Sequence, residues 1–102
     1  MIIYGNEENF NELIKDGEVL VDFFANWCGP CRMLGQVLEE ISSDRNSVKI
    51  IKINVDECPN LSRQFGVMTI PALFLFKDGK EVSKQNGFVP KEELLDWINE
   101  NV

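Results

Sequence analysis

An α/β fold, a mixed sheet with helices on both faces, is predicted by three features of this 102-residue sequence. Short β-branched and aromatic runs alternate with helically spaced segments through the first part of the chain, which implies parallel strands joined by right-handed crossovers. Near the end, Asp78-Gly79 lies between two further runs, a strong hairpin signal that adds two antiparallel strands. Hydrophobic residues make up 44% of the chain and charged ones 26%, enough apolar material for one core, so a single domain over residues 1–102 is expected.

Ile2 to Tyr4 reads as a weak first strand. Asn6 is a candidate N-cap followed by Glu7 and Glu8, whose charges suit a positive helix end. Phe10, Leu13 and Ile14 then take helical spacing until Gly17. Val19 to Ala25 is too short and too uniformly apolar for a surface helix and reads as a buried strand. From Cys28 to about Ser43, Met33, Leu34, Val37, Leu38 and Ile41 form a stripe of 3.6-residue period. Val48 to Val55, rich in β-branched residues, is a second buried strand. Pro59 suits the first turn of a short helix through Phe65 that stops at Gly66. Ala72 to Phe76 and Glu81 to Gln85 are the hairpin strands. Pro90 opens a last helix that directs Leu94, Leu95, Trp97 and Ile98 inward.

Composition excludes several functions. With 10 Lys and Arg against 17 Asp and Glu, the net charge is -7, and no basic patch is visible, so a phosphate backbone would be repelled and nucleic-acid binding is not expected. The sequence has no histidine, which removes imidazole-dependent hydrolysis and His-containing zinc sites. Its 3 cysteines, Cys28, Cys31 and Cys58, are too few for a disulfide scaffold or a closed four-ligand zinc site. Met1 to Gly5 lacks the features of a secretory signal, and no apolar run approaches the ~20 residues that cross a bilayer. A cytoplasmic protein that does not enter membranes is the expectation.

The chemistry concentrates in Trp27-Cys28-Gly29-Pro30-Cys31, where a buried strand passes into a helix. Two cysteines three apart can close a small ring. The first stands where free N–H groups and the helix dipole favour an anion, which lowers a thiol pKa. The thiolate is the attacking species in disulfide exchange. Cys28 is therefore the candidate nucleophile and Cys31, one turn in and more buried, the resolving thiol. The blander alternatives are two small buried hydrophobes or half of a metal site shared in a dimer.

Asp22 is the second anomaly, an acid in the strand Val-Leu-Val-Asp-Phe-Phe-Ala. Burial there costs several kcal/mol for the ionised form and raises the pKa. Six residues before Cys28, it reads as proton acceptor and donor for Cys31, against the alternative of an acid facing solvent at a strand end. Lys52, in Ile-Ile-Lys-Ile-Asn-Val, either approaches Asp22 and favours its ionised form or carries its head to water along its stem. Pro71 belongs at the first position of a strand, with a trans bond as the default for any X–Pro. Gly87 is either a plain turn glycine or a place of positive φ and close approach. Cys58, before Pro59 at a helix start, could have a low pKa; an unpartnered structural cysteine is the simpler reading, a regulatory or intermolecular disulfide the other.

Taken together, Val21-Asp22-Phe23-Phe24-Ala25-Asn26-Trp27-Cys28-Gly29-Pro30-Cys31, Lys52-Ile53-Asn54-Val55-Asp56, Phe65-Gly66-Val67, Thr69-Ile70-Pro71, Lys77-Asp78-Gly79 and Gly87 resemble the thioredoxin family in content and order. The resemblance spans essentially the whole chain. It implies a thioredoxin fold, with five strands in the order 1-3-2-4-5 and four helices. It also implies a cis bond at Pro71 beside the cysteines, and a flat apolar docking patch of Trp27, Gly29, Pro30, Ile70, Pro71, Gly87 and Phe88. Asp22 and Lys52 match the family's buried acid and its neighbouring lysine. The implied activity is protein-disulfide reduction by a monomer without metal or bound cofactor, drawing electrons from an NADPH-linked flavoprotein, thioredoxin reductase, and passing them to disulfide-containing client proteins.

Three positions depart from the pattern. Phe24 replaces a second tryptophan, which alters spectroscopy more than chemistry. Gln36 replaces a proline that kinks the long helix in many members, so this helix is expected to be straighter, with Gly35 beside it as a source of flexibility. Asn86 makes the docking patch more polar. Between the cysteines, Gly29-Pro30 lacks the histidine of many oxidising relatives, so the thiolate and the reduced form are less stabilised and a reductant is expected. The rival functions are an isomerase or dedicated donor on the same fold, a protein clamp with incidental thiols, and a glutathione-dependent reductase, for which no glutathione site is evident.

Overall fold

The computed structural model describes residues 1–44 and 48–102. Among them five strands and four helices follow one another as β1 (Ile2–Tyr4), α1 (Phe10–Leu13), β2 (Glu18–Phe24), α2 (Gly29–Asp44), β3 (Lys49–Asn54), α3 (Pro59–Gln64), β4 (Ala72–Lys77), β5 (Lys80–Asn86) and α4 (Lys91–Asn101). The sheet order is β1-β3-β2-β4-β5. β3 runs parallel to both β1 and β2, while β4 is antiparallel to β2 and to β5. This is the mixed sheet expected from alternation plus a terminal hairpin, with the strand order that the family resemblance implied.

Strand alternation sorts the core into two layers. Val19, Val21 and Phe23 of β2 join Ile51, Ile53, Phe74 and Phe76 against Phe10 of α1 and Leu61 of α3. Leu20 turns the other way, with Ile50, Leu73 and Leu75, toward Leu34, Leu38 and Ile41 of α2 and Leu94 and Ile98 of α4. Central β2 is thus buried on both faces, and Asp22 shares its even-numbered face with Leu20, on the α2 side. The stripe read in α2 is the buried one, except that Met33 stands exposed. α2 runs uninterrupted through Gly35 and Gln36.

The turns follow the residues that set them. Asp78 and Gly79 both take positive φ, 50° and 85°, as a two-residue hairpin of the right twist requires. β5 departs from a regular ladder: Leu75 pairs with Ser83 and Phe76 with Glu81, leaving Val82 as a bulge.

The first helix is shorter than its spacing suggested. Asn6 caps a turn ahead of it rather than α1 itself. Asn6 Oδ1 accepts from Asn9 N at 2.9 Å, and Asn9 Oδ1 accepts from Asn6 N at 2.8 Å, a reciprocal pair that satisfies the backbone before Phe10.

Glu7, read above only as a favourable charge for α1, serves a different helix. Its carboxylate accepts from the backbone N–H groups of Asn60 and Leu61 at 2.6 and 3.0 Å and from Asn60 Nδ2 at 3.1 Å. Cys58, at the N-cap of α3, supplies no side-chain acceptor, so Glu7 does so from the far end of the chain. Glu7→Ala is expected to cost about 1 kcal/mol, the usual value of a lost cap. Guanidinium denaturation measures the loss, and amide exchange should accelerate at Asn60 and Leu61; unchanged exchange there would refute the assignment.

Candidate active site

β2 carries the chain out of the core at Phe24 and Ala25, and α2 begins at Gly29, so Cys28 arrives immediately before a 16-residue helix. The entry is pinned by backbone bonds: Cys28 N donates to Ala25 O at 3.3 Å and Arg32 N to Cys28 O at 3.2 Å. Arg32 Nη1 closes back on Asn26 O at 3.0 Å. Cys28 and Cys31 form a disulfide across Cα atoms 5.2 Å apart. Cys31 N donates to Cys28 Sγ at 3.2 Å, so the first sulfur occupies the acceptor position at the start of α2. A thiolate released there by reduction keeps that donor and the positive end of the helix. Cys31 is the more buried of the two, as its place one turn inward dictates.

The two sulfurs pack with Phe24 and Ala25, and Val55 and Ile70 close over them. The Ile70-Pro71 bond is cis, as the family resemblance implied and against the trans default. Pro71 O accepts from Gly87 N at 2.8 Å. Gly87 has φ 88°, so it is a position that needs glycine, and it joins the end of β5 to the loop entering β4. Large apolar side chains stand exposed next to Cys28 and elsewhere on the surface. Trp27 is 69% exposed, and Phe88 and Met33 are also exposed.

Two contributors were missed in the sequence. Asp56 was matched without a role, yet its Oδ2 accepts from Trp27 Nε1 at 2.9 Å and holds the exposed indole. An exposed tryptophan with an N–H to satisfy was the available signal. Met68, 91% exposed in the loop leading to Pro71, adds a large apolar side chain to a segment read only for Thr69, Ile70 and Pro71.

Asp22 is fully buried, at 0% exposure, and neither carboxylate oxygen has a hydrogen-bond partner among the described residues. Lys52 Nζ approaches its Oδ2 at 4.0 Å, with the lysine side chain only 12% exposed. Of the two readings of Lys52, the structure supports the pairing with Asp22. Burial raises the Asp22 carboxyl from its ordinary 3.8 to about 7, against the lowering pull of the Lys52 ammonium. Gly35 of α2 faces that ammonium, and a methyl there would make ordinary contact with Nζ at 3.5 Å. Lys52 and Cys31 line one open groove with Tyr4, Phe24, Arg32 and Glu39.

Cys58 is kept apart from this site. It is buried and unbridged in the layer on the other side of the sheet, with Phe10 and Leu61. Burial pushes its thiol up, and the Glu7 and Glu57 carboxylates push the same way. Burial outweighs any lowering that the helix start would confer, and the Glu7 carboxylate at the α3 terminus adds to the rise.

The thioredoxin family profile matches residues 1–100. The chain belongs to the thioredoxin family. It is 48% identical over 101 residues to the thioredoxin of Chlamydia caviae, with 99% of each chain covered. Against the thioredoxin of Staphylococcus haemolyticus it is 45% identical over 102 residues, 99% and 98% of the two chains. Against that of Rickettsia felis it is 45% identical over 91 residues, 88% and 87%. The Cys28–Cys31 disulfide is the family's redox-active pair, and the chain is a thiol–disulfide oxidoreductase. Among the described residues no helix is long and apolar enough to cross a membrane.

The buried acid of this thioredoxin site makes stability depend on pH. Its folded midpoint, about 7, lies above the unfolded value of 3.8, so between these limits the native protein holds a proton that the unfolded chain has lost. The stability contributed by that proton is complete below about pH 3.8 and gone above about pH 7. Asp22→Asn is therefore expected to gain on wild type as pH rises through this window, by about 4 kcal/mol in all. Parallel guanidinium denaturation from pH 4 to 9 measures the gain; a difference independent of pH would contradict it.

Proposed function

We propose that the chain, acting as a single domain over residues 1–102, is a general cytoplasmic protein-disulfide reductase in which Cys28 attacks and Cys31 resolves. The observation that carries this reading is the Cys28–Cys31 pair at the start of α2, with Cys28 Sγ taking the Cys31 N–H and the exposed Trp27 beside it in the chain. In the reduced protein a client disulfide docks on Trp27, Gly29, Pro30, Ile70, Pro71, Gly87 and Phe88. The Cys28 thiolate attacks one client sulfur, forming a mixed disulfide and expelling the other sulfur as a thiolate. Cys31 gives its proton to Asp22 and attacks Cys28 Sγ. The mixed disulfide breaks, the client sulfurs leave as thiolates that take protons from Asp22 and from water, and the protein retains both cysteines as a disulfide.

The roles of Asp22 and Lys52 are supported by burial and charge. A carboxyl with a midpoint of about 7 can exchange a proton near neutrality, and Lys52 at 4.0 Å keeps its ionised form within reach. The electron source in this reading is an NADPH-linked flavoprotein, thioredoxin reductase, which returns the disulfide to a dithiol. The clients are disulfide-containing proteins chosen by fit to that docking patch, and the working form is a monomer.

Reduction of insulin disulfides with dithiothreitol as electron donor tests the assignment. Wild type should accelerate it, and Cys28→Ser and Cys31→Ser should each fall to the uncatalysed rate. Cys31→Ser should accumulate a mixed disulfide through Cys28, detectable by mass. An adduct on Cys31 in Cys28→Ser, with none in the converse variant, would reverse the roles.

A further inference from the structure

Tyr4 is an aromatic residue on an edge strand, 67% exposed, with no part in the apolar core. Register explains its position. Tyr4 pairs with Lys52 across β1 and β3, and Lys52 pairs with Asp22 across β3 and β2. Alternation puts all three on the α2 side of the sheet, in one row perpendicular to the strands. The Lys52 ammonium lies 5.7 Å from the centroid of the Tyr4 ring and 4.6 Å from that of Phe24. The two rings meet edge to face, with centroids 6.0 Å apart and planes at 76°. A cation within about 6 Å of such faces is attracted by their quadrupoles.

We propose that Tyr4 is a positioning residue: its ring, with that of Phe24, holds the Lys52 ammonium beside Asp22 and thereby sets the pH at which this buried carboxyl exchanges its proton. The catalytic consequence rests on the reading of Asp22 as proton acceptor for Cys31; the positioning itself does not.

The charged and titratable groups around the row are few. Asp22 comes from β2, Lys52 from β3 and the Tyr4 phenol from β1. From α2, Arg32, Glu39 and Cys31 line the same groove. β4 contributes Leu73 opposite Asp22, which carries no charge. Asp22 lies 4.0 Å from the ammonium, and the exposed Glu39 lines the same groove as Lys52. The stem of Lys52 is long enough to serve either, and the rings favour Asp22. Without the Tyr4 ring the ammonium relaxes outward, toward water and Glu39. Tyr4 lies two strand spacings, about 10 Å, from Asp22, so its loss hydrates Lys52 and not the carboxyl itself. The sign follows: less positive charge near Asp22 means a higher midpoint.

The test is a carboxyl-carbon NMR titration of Asp22 in the oxidised protein, where the cysteines do not titrate. Tyr4→Leu should raise the midpoint by about one pH unit, the effect of a unit charge receding from 4 to about 6 Å at an effective dielectric of about 20. Tyr4→Phe, which keeps the ring, should titrate as wild type, and Lys52→Met should rise at least as far as Tyr4→Leu. A wild-type midpoint in Tyr4→Leu, a rise in Tyr4→Phe equal to that in Tyr4→Leu, or no rise in Lys52→Met would each overturn the proposal. Failure of the proton-acceptor reading would show elsewhere, as an unchanged rate and pH profile of disulfide exchange in Asp22→Asn.

Discussion

The hydrogen bond from Cys31 N to Cys28 Sγ is the contact on which the site depends, because it exists only if a strand, a tight entry and a helix start are all in register. A sulfur in that place inherits the free donors that every helix leaves at its first turn. The strand that leads to it is buried on both faces and paired on both edges, so the short entry carrying the sulfur is anchored at the centre of the sheet. Reactivity here comes from backbone already required by the fold, and this lets Gly29 and Pro30 be chosen for compactness and stiffness.

The same central strand imposes the buried acid. Two residues before the end of β2, Asp22 faces the α2 layer among apolar neighbours, and its carboxylate meets a cation without a direct hydrogen bond. Desolvation outweighs the attraction of Lys52, which is why the net movement of the carboxyl is upward. In the proposed mechanism, function and stability therefore pull against each other at this position. A leucine would fill the space without the charge and would have no proton to exchange.

Much of this was legible because the signals were local. Periodicity found α2 and its buried face, Asp78-Gly79 found the hairpin, and Trp27 to Cys31 located the chemistry. Strand order was not legible from periodicity; it came from the family resemblance, as did the cis bond at Pro71. Contacts between distant segments were hardest. Glu7 reaches α3 across 53 residues at Asn60, and no spacing rule connects them. Lys52 illustrates a signal that was present and ambiguous. Its stem could lead to water or to Asp22, and only the pairing of β2 with β3 decides between them. α1 fell short for a local reason, since Asn6 and Asn9 satisfy each other in a turn and leave only four residues, Phe10–Leu13, for the helix.

The bulge in β5 bears on how such a protein behaves in a crowd. β5 is the outer strand of the sheet, and an outer strand offers unpaired backbone groups as a template to any extended chain it meets. Val82 breaks the regular spacing of that template, and Lys80, Glu81 and Lys84 stud it with charge. At the opposite margin β1 has only three residues, too few to nucleate a ladder. Both margins of the sheet are thus poor seeds for sheet-to-sheet aggregation, a safeguard of value to a molecule that carries Trp27, Met68 and Phe88 exposed.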